Sequence, residues 1–205
     1  MTTPETDTAA LLARLYDPDP AALSRLRDTL VGDAAAAGLL DVAYRTLDSP
    51  VGTLLLAATE QGLVRVAFDI EDHDLVLVDL AAKVSPRIML SPGRLDPVAR
   101  QLAEYFAGGR RSFDLPLDFR LASGFRRSVL AHLPDIAYGH TESYAQVALA
   151  AGSPRAVRAV GTACAMNPIP VVVPCHRVVR SDGSFGGYRG GAAAKELLLT
   201  MEAAA

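Results

Sequence analysis

The chain has 205 residues, half of them apolar and a fifth charged, which fits a globular protein of one large or two small domains. A net charge of −3 argues against strong non-specific affinity for polyanions, and no apolar run reaches the ~20 residues of a membrane span. The two cysteines, Cys164 and Cys175, form no C-x-x-C pair, which argues against a thiolate zinc module and a disulfide framework; reduced thiols in a cytoplasmic protein are expected. Charge is unevenly distributed. Residues 119–205 carry nine Lys and Arg against five Asp and Glu, whereas residues 1–118 carry eleven against eighteen. The basic half is the one expected to meet an anion. The first residues lack a basic segment ahead of an apolar core, so no signal peptide is expected.

Residues 1–41 are rich in Ala and Leu. Leu11, Leu12 and Leu15, then Leu23, Leu26 and Leu30, fall at helical spacings on either side of Asp17-Pro-Asp-Pro20. They predict two short helices, the second capped by Asp19 with Pro20 at its first position. A disordered extension is the alternative reading. From Val42 the pattern changes to β type. Val42–Leu47, Thr53–Ala58 and Leu63–Phe68 are short strand-like runs separated by Asp48–Gly52 and by Gln61-Gly62, which predict an antiparallel meander. Asp69, Glu71, Asp72 and Asp74 surround His73; with nothing to fix ligand geometry, a solvated acidic loop is expected rather than a metal site. Asp96–Ala107 predicts a helix closed by Gly108-Gly109, and Ser112–Leu117 a short extended piece. Residues 42–117 thus read as a small α+β domain with an antiparallel sheet.

Residues 118–205 read as a helical, winged-helix-like domain. Ser123–Leu133 predicts a helix. A loop over Tyr138–Ser143 follows, then a short helix over Tyr144–Ala151. Gly152-Ser-Pro154 reads as a turn whose serine caps a further helix, Arg155–Met166. Short helix, glycine turn and longer helix form a helix-turn-helix pattern. Arg155 and Arg158 lie among the small residues Ala156, Ala159, Gly161, Thr162 and Ala163. That face is suited either to close approach to a nucleic-acid groove or to packing on another helix. Asn167-Pro168 redirects the chain, and Val171–Val173 predicts a buried strand ending at Pro174-Cys175-His176-Arg177. The loop Gly186–Gly191 lacks the G-x-G-x-x-G spacing of a dinucleotide cradle and reads as a close wrap around a ligand. Ala192–Glu202 predicts a closing helix with Leu197, Leu198 and Met201 toward the core.

Cys175 next to His176 is a candidate nucleophile, because a thiol needs a proton acceptor to become the reactive thiolate. In extended chain the two side chains would point apart, so a tight turn or a bridging water is required. Glu202 is the candidate carboxylate to orient His176. From the residues alone, an inert buried cysteine beside a structural histidine stays open.

Pro174-Cys-His-Arg-Val178, together with Arg158-Ala-Val-Gly161, Asn167-Pro168, Gly187-Tyr188, Gly190-Gly191 and Lys195, resembles the O6-alkylguanine-DNA alkyltransferase family from about Phe125 to Glu202. The resemblance implies DNA repair by irreversible transfer of an alkyl group from O6-alkylguanine (and O4-alkylthymine) in duplex DNA to Cys175, once per chain, after flipping of the base. It implies no cofactor. It implies a monomer acting on double-stranded DNA containing alkylated guanine, without a membrane, and leaves cooperation between copies on DNA open. His176 would take the thiol proton through a water, oriented by Glu202. Tyr144 would donate a hydrogen bond to the departing guanine, and Asn167 would order the chain at the nucleophile. Arg158 would fill the space of the extruded base. Arg155, Ser143, Ala156, Ala159 and Gly161 would meet DNA in the minor groove. Pro170, Val178, Tyr188 and Arg189 would line the pocket. Arg126, His140 and Ala145 depart from the family's usual residues, and Arg189 places a bulky cation at the pocket rim. The cysteine-rich zinc module of the family's adaptive-response members is not expected. A binding-only damage sensor, which would lack the cysteine, and a sequence-specific transcription regulator are the competing readings.

Overall fold

The computed structural model describes residues 19–204, in two compact units that divide between residues 40 and 41. In the first unit, helix α1 spans Pro20–Ala36, and the Asp19 carboxylate caps it by accepting from the Ala21 N–H at 3.0 Å. The expected helix around Leu11–Leu15 lies outside the described residues.

The second unit opens with strands β1 (Val42–Leu47), β2 (Leu54–Thr59) and β3 (Gly62–Phe68), paired antiparallel in sequence order. The sheet is mixed rather than purely antiparallel. A fourth strand, β4 (Ile88–Leu90), joins the free edge of β1 in parallel, giving the order β3-β2-β1-β4. Only three residues long and flanked by Pro86 and Pro92, β4 carries no alternation by which to detect it.

The expected acidic loop is also corrected. Glu71 closes a 3-10 turn, and His73–Lys83 is a helix, α2. Asp72 caps α2, accepting from the Asp74 and Leu75 N–H groups. Val76 and Leu80, one helical turn apart, are its buried stripe. They cover one sheet face with Val42, Leu55, Ala57, Val64 and Ala67. The opposite face, through Leu54, Leu56, Val66 and Phe68, joins helix α3 (Asp96–Phe106) and the C-terminal helices in one core. With both faces covered, β3 is buried along its whole length. Ser112–Leu117 contributes only a bridge between Leu117 and Leu63. There the Leu63 N–H donates to the Pro116 carbonyl, and Gly62 at φ +139 leaves no room for a side chain against that backbone.

The C-terminal half contains α4 (Gly124–His132), α5 (Tyr144–Ala150), α6 (Val157–Ala165) and α7 (Gly191–Ala203). Helices α4, α5 and α6 pack on one another. Strands β5 (Glu142–Ser143) and β6 (Val178–Val179) form a two-stranded parallel pair. That pair ties the entry of the helix-turn-helix to the segment just after Cys175. The expected strand at Val171–Val173 is instead a buried turn. The Val173 N–H donates to the Ile169 carbonyl, and Val171 sits at φ +71. A β-branched residue in the left-handed region is strained, by roughly 1–3 kcal/mol; the apolar run is buried, not extended. Among the described residues no helix is long and apolar enough to cross a membrane.

Candidate active site and nucleic-acid interface

At Pro174 the chain enters a 3-10 turn, Cys175–Arg177. This turn removes the obstacle of extended geometry, since successive residues no longer alternate across a pleat. Cys175, His176 and Arg177 are all buried, Cys175 with 2% of its surface exposed. Asn167, fully buried at the end of α6, reaches across the turn. Its Nδ2 donates to the Val173 carbonyl (2.8 Å) and to Cys175 Sγ (3.1 Å), while its Oδ1 accepts from the Ile169 N–H (3.0 Å). One amide thus pins both arms of the turn and the thiol it presents.

His176 Nε2 lies 2.9 Å from Glu202 Oε1 on α7. Arg177 grips the same carboxylate with two hydrogen bonds of 2.9 Å and donates to the Ile136 carbonyl at 2.6 Å. Tyr105 of α3 adds a hydroxyl donor at 2.6 Å, and the Gly139 N–H a further contact at 3.3 Å. Burial alone would raise the Glu202 carboxyl, but hydrogen bonds from His176, Arg177 and Tyr105 outweigh it and hold the group at about 2. Glu202 is therefore ionised and can only accept. His176 Nε2 must carry the proton, which leaves the lone pair on Nδ1. Nδ1 is buried and has no hydrogen-bond partner among the described residues. Burial also lowers the histidine's proton affinity, so the ring rests neutral, with Nδ1 ready to take a proton.

Burial pushes the Cys175 thiol up to about 11, against the opposing pull of the Asn167 hydrogen bond and the Lys195 charge. Lys195 is a finding the periodicity did not foretell: it is 1% exposed and donates from Nζ to the Val178 carbonyl at 2.6 Å. Its neighbour Leu197, expected in the core, is partly exposed, while Leu198 is fully buried. On α7 the inward stripe is therefore Ala194, Lys195, Leu198 and Glu202.

The remaining expected pocket residues gather around this turn. Pro170 and Val178 are buried. Tyr144, the first residue of α5, lies against Gly186 so closely that a Cβ there would meet the phenol oxygen and ring. At Gly161 of α6 a Cβ would meet the same ring only at an ordinary contact distance of 3.9 Å. Tyr188 sets its ring edge-on to Phe68 (5.6 Å between centroids) and to His176 (6.3 Å). Arg189 ion-pairs with Glu71.

In the helix-turn-helix, Ser143 rather than Ser153 is the capping serine. Its hydroxyl accepts from the Gln146 N–H, and the Gln146 side chain accepts from the Ser143 N–H. Helix α6 begins at Val157 with no side-chain cap, not at Arg155. Ser153–Ala156 is a turn, in which the Ala156 N–H donates to the Ser153 carbonyl. Arg155 therefore stands just ahead of the helix and Arg158 in its first turn. Both are exposed, as is Ala159; Ala156 and Gly161 are half-buried. Arg126 is turned inward, donating to the Leu121 carbonyl at 2.7 Å and touching the Met166 sulfur. His140 is exposed. Among the described residues no cluster of three or more His, Cys, Asp or Glu is placed to hold a metal.

Two family descriptions match this chain: "6-O-methylguanine DNA methyltransferase, ribonuclease-like domain" over residues 42–119, and the DNA binding domain of the same family over residues 124–204. A protein of Mycolicibacterium paratuberculosis named methylated-DNA–protein-cysteine methyltransferase is 41% identical over 162 residues, covering 78% of this chain and 92% of the relative. A protein of Methanosarcina barkeri with the same name is 39% identical over 165 residues, covering 78% and 96%. Among solved structures, Mycobacterium tuberculosis OGT in complex with DNA superposes with a TM-score of 0.68 at 37% identity, covering 79% of this chain and 93% of that one.

Proposed function

The chain belongs to the O6-alkylguanine-DNA alkyltransferase family, and we propose that Cys175 is the atom-accepting residue of its reaction. It is a DNA-binding repair protein, a methylated-DNA–protein-cysteine methyltransferase that moves the methyl group of O6-methylguanine to one of its own cysteines. The observation that carries the assignment of Cys175 is the buried chain Asn167–Cys175 beside His176–Glu202, with hydrogen bonds of 3.1 and 2.9 Å. Cys164, the other cysteine, is also buried, and burial raises its thiol above the usual range. It has no histidine beside it in the chain.

The steps follow from this chemistry. His176 Nδ1 takes the Cys175 proton through a bridging water, and Glu202 stabilises the imidazolium that results. Cys175 Sγ attacks the alkyl carbon. A C–S bond forms as the C–O6 bond breaks, and the electron pair goes to guanine. Tyr144 donates a hydrogen bond to the guanine as it leaves, stabilising charge that appears only in the transition state. The product thioether has no leaving group available to water, so each chain reacts once. O4-alkylthymine presents the same alkyl–oxygen bond and is a second substrate.

Because Cys175 is 2% exposed, a base stacked in a duplex cannot reach it, which supports extrusion of the target nucleotide. Arg158 enters the vacated space, and Arg155, Ser143, Ala156, Ala159 and Gly161 approach the minor groove and phosphates. Pro170, Val178, Tyr188 and Arg189 surround the base. The chain acts as a monomer on double-stranded DNA.

Stoichiometry tests this reading. Duplex DNA carrying O6-methylguanine in tenfold excess should lose one methyl group per protein chain and then no more. Continued turnover, or no loss at all, contradicts it.

A further inference from the structure

Three consecutive residues of the glycine-rich loop rest on one short stretch of the sheet domain. Tyr188 packs its ring on Phe68. Arg189 donates from Nε to Glu71 Oε2. Gly190 sits so close to Phe68 that a Cβ would come within 2.7 Å of its ring. Phe68 ends β3 and Glu71 closes the 3-10 turn after it. The sheet domain therefore meets the loop at Tyr188, Arg189 and Gly190.

Glu71 is built for this contact. Its Oε1 accepts from the Phe68 N–H at 3.0 Å, which fixes the side chain against its own turn. Its Oε2 accepts from Arg189 and from Arg65 Nη2, the latter at 2.5 Å. The Glu71 and Arg65 side chains are 10% and 7% exposed, and Arg189 is 31% exposed. A single carboxylate thus lies between two guanidiniums, one buried within the sheet and one reaching over from the loop.

The loop needs such an anchor. Residues 183–191 include five glycines, each of which loses more conformational freedom on ordering than any other residue. Tyr188 stands between Phe68 and His176, edge-on to both rings. Its position depends on packing and on its neighbour Arg189.

We propose that Glu71 is a positioning residue for alkyl transfer: through Arg189 it holds Tyr188 and the loop 186–190 in the shape that receives the flipped base. The inference rests on the assignment of this loop to the base pocket. It gives the sheet domain a part in the reaction, and it gives Arg189 a role as a tether rather than a plug at the pocket rim. A displacement of about 1 Å at the wall of a reacting site costs up to roughly a hundredfold in rate. The partly exposed ion pair contributes little to global stability.

The test is a double-mutant cycle on full-length protein, reading single-turnover methyl transfer from O6-methylguanine duplex at saturating DNA, with duplex affinity measured separately. Glu71→Gln and Arg189→Ala should each slow transfer about ten- to a hundredfold, and Glu71→Gln should keep duplex affinity within about twofold of the parent. The double variant should be no slower than Arg189→Ala, and Arg189→Lys should recover most of the rate. Hydrogen exchange over residues 183–191 should accelerate in Glu71→Gln and Arg189→Ala and stay unchanged in the other strands and helices. Additive rate losses, an unchanged rate in Glu71→Gln, or unchanged loop exchange would overturn the inference. If the parent protein transfers nothing, the assigned function fails, and the exchange measurement still decides whether Glu71 anchors the loop.

Discussion

Asn167 shows how much one side chain can control. Every polar atom of its amide is used: Nδ2 donates to the Val173 carbonyl and the Cys175 sulfur, and Oδ1 accepts from the Ile169 N–H. Asn167→Ala strands buried backbone groups and should lower stability by roughly 2–4 kcal/mol in urea titration. Asn167→Asp keeps the acceptor but removes the donor and puts a negative charge beside the thiol. That change should raise the Cys175 pKa and slow transfer about tenfold or more at neutral pH. A rate equal to the parent's would show that the amide does not act on the sulfur. Cys175 beside His176 stood out in the sequence as a candidate nucleophile and Asn167-Pro168 as a redirection of the chain, whereas a role for Asn167 at the thiol came only from the family resemblance. The contacts of Glu202 other than His176, and the partner of Arg189, were not legible in the sequence. Tyr105 is 97 residues away in sequence and Arg189 is 118 residues from Glu71, and no local pattern reports contacts at that separation.

At the scale of elements, the helices that packing and turn chemistry both favour were legible. The glycine turn at Gly152 and the closing helix α7 fall where spacing places them. Elements fixed by burial from outside were not. Helix α2 shows only the pair Val76 and Leu80, and Val171–Val173 reads as a strand because an apolar run looks alike in a sheet and in a buried turn. Ser153-Pro154 imitates a helix start, but the helix begins three residues later, after a turn of its own. The Gly186–Tyr144 contact joins a loop to a helix start with no space between them. Gly186→Ala should displace the Tyr144 hydroxyl and slow methyl transfer at saturating DNA while leaving duplex affinity intact. A loss of affinity with an unchanged transfer rate would place Gly186 in DNA binding instead.

For the whole molecule, the buried relay couples chemistry to stability. Folding holds the Glu202 carboxyl at about 2 against an ordinary 4.5, through hydrogen bonds from His176, Arg177 and Tyr105 that overcome its burial. That contribution is complete above pH 4.5 and is lost as pH falls toward 2. Burial lowers His176 from its ordinary 6.5, so folding favours the neutral ring, and this contribution too is lost as pH falls below 6.5. Cys175 acts in the opposite direction. Raised by burial from 9.0 to about 11, it supports folding below pH 9 and loses that support as pH rises through 11. The urea midpoint should therefore be flat between about pH 6.5 and 9 and fall on both sides, with a shallower acid limb in Glu202→Gln. A midpoint unchanged from pH 7 to pH 4 would contradict a neutral His176 beside an ionised Glu202. The central claim is that this buried architecture serves one thiol for one reaction. It is tested most directly by mapping the modified residue by peptide mass spectrometry after incubation with O6-methylguanine duplex. The structure predicts a single methyl group on the peptide containing Cys175 and none in Cys175→Ser; a methyl group on Cys164, or one that persists in Cys175→Ser, would contradict it.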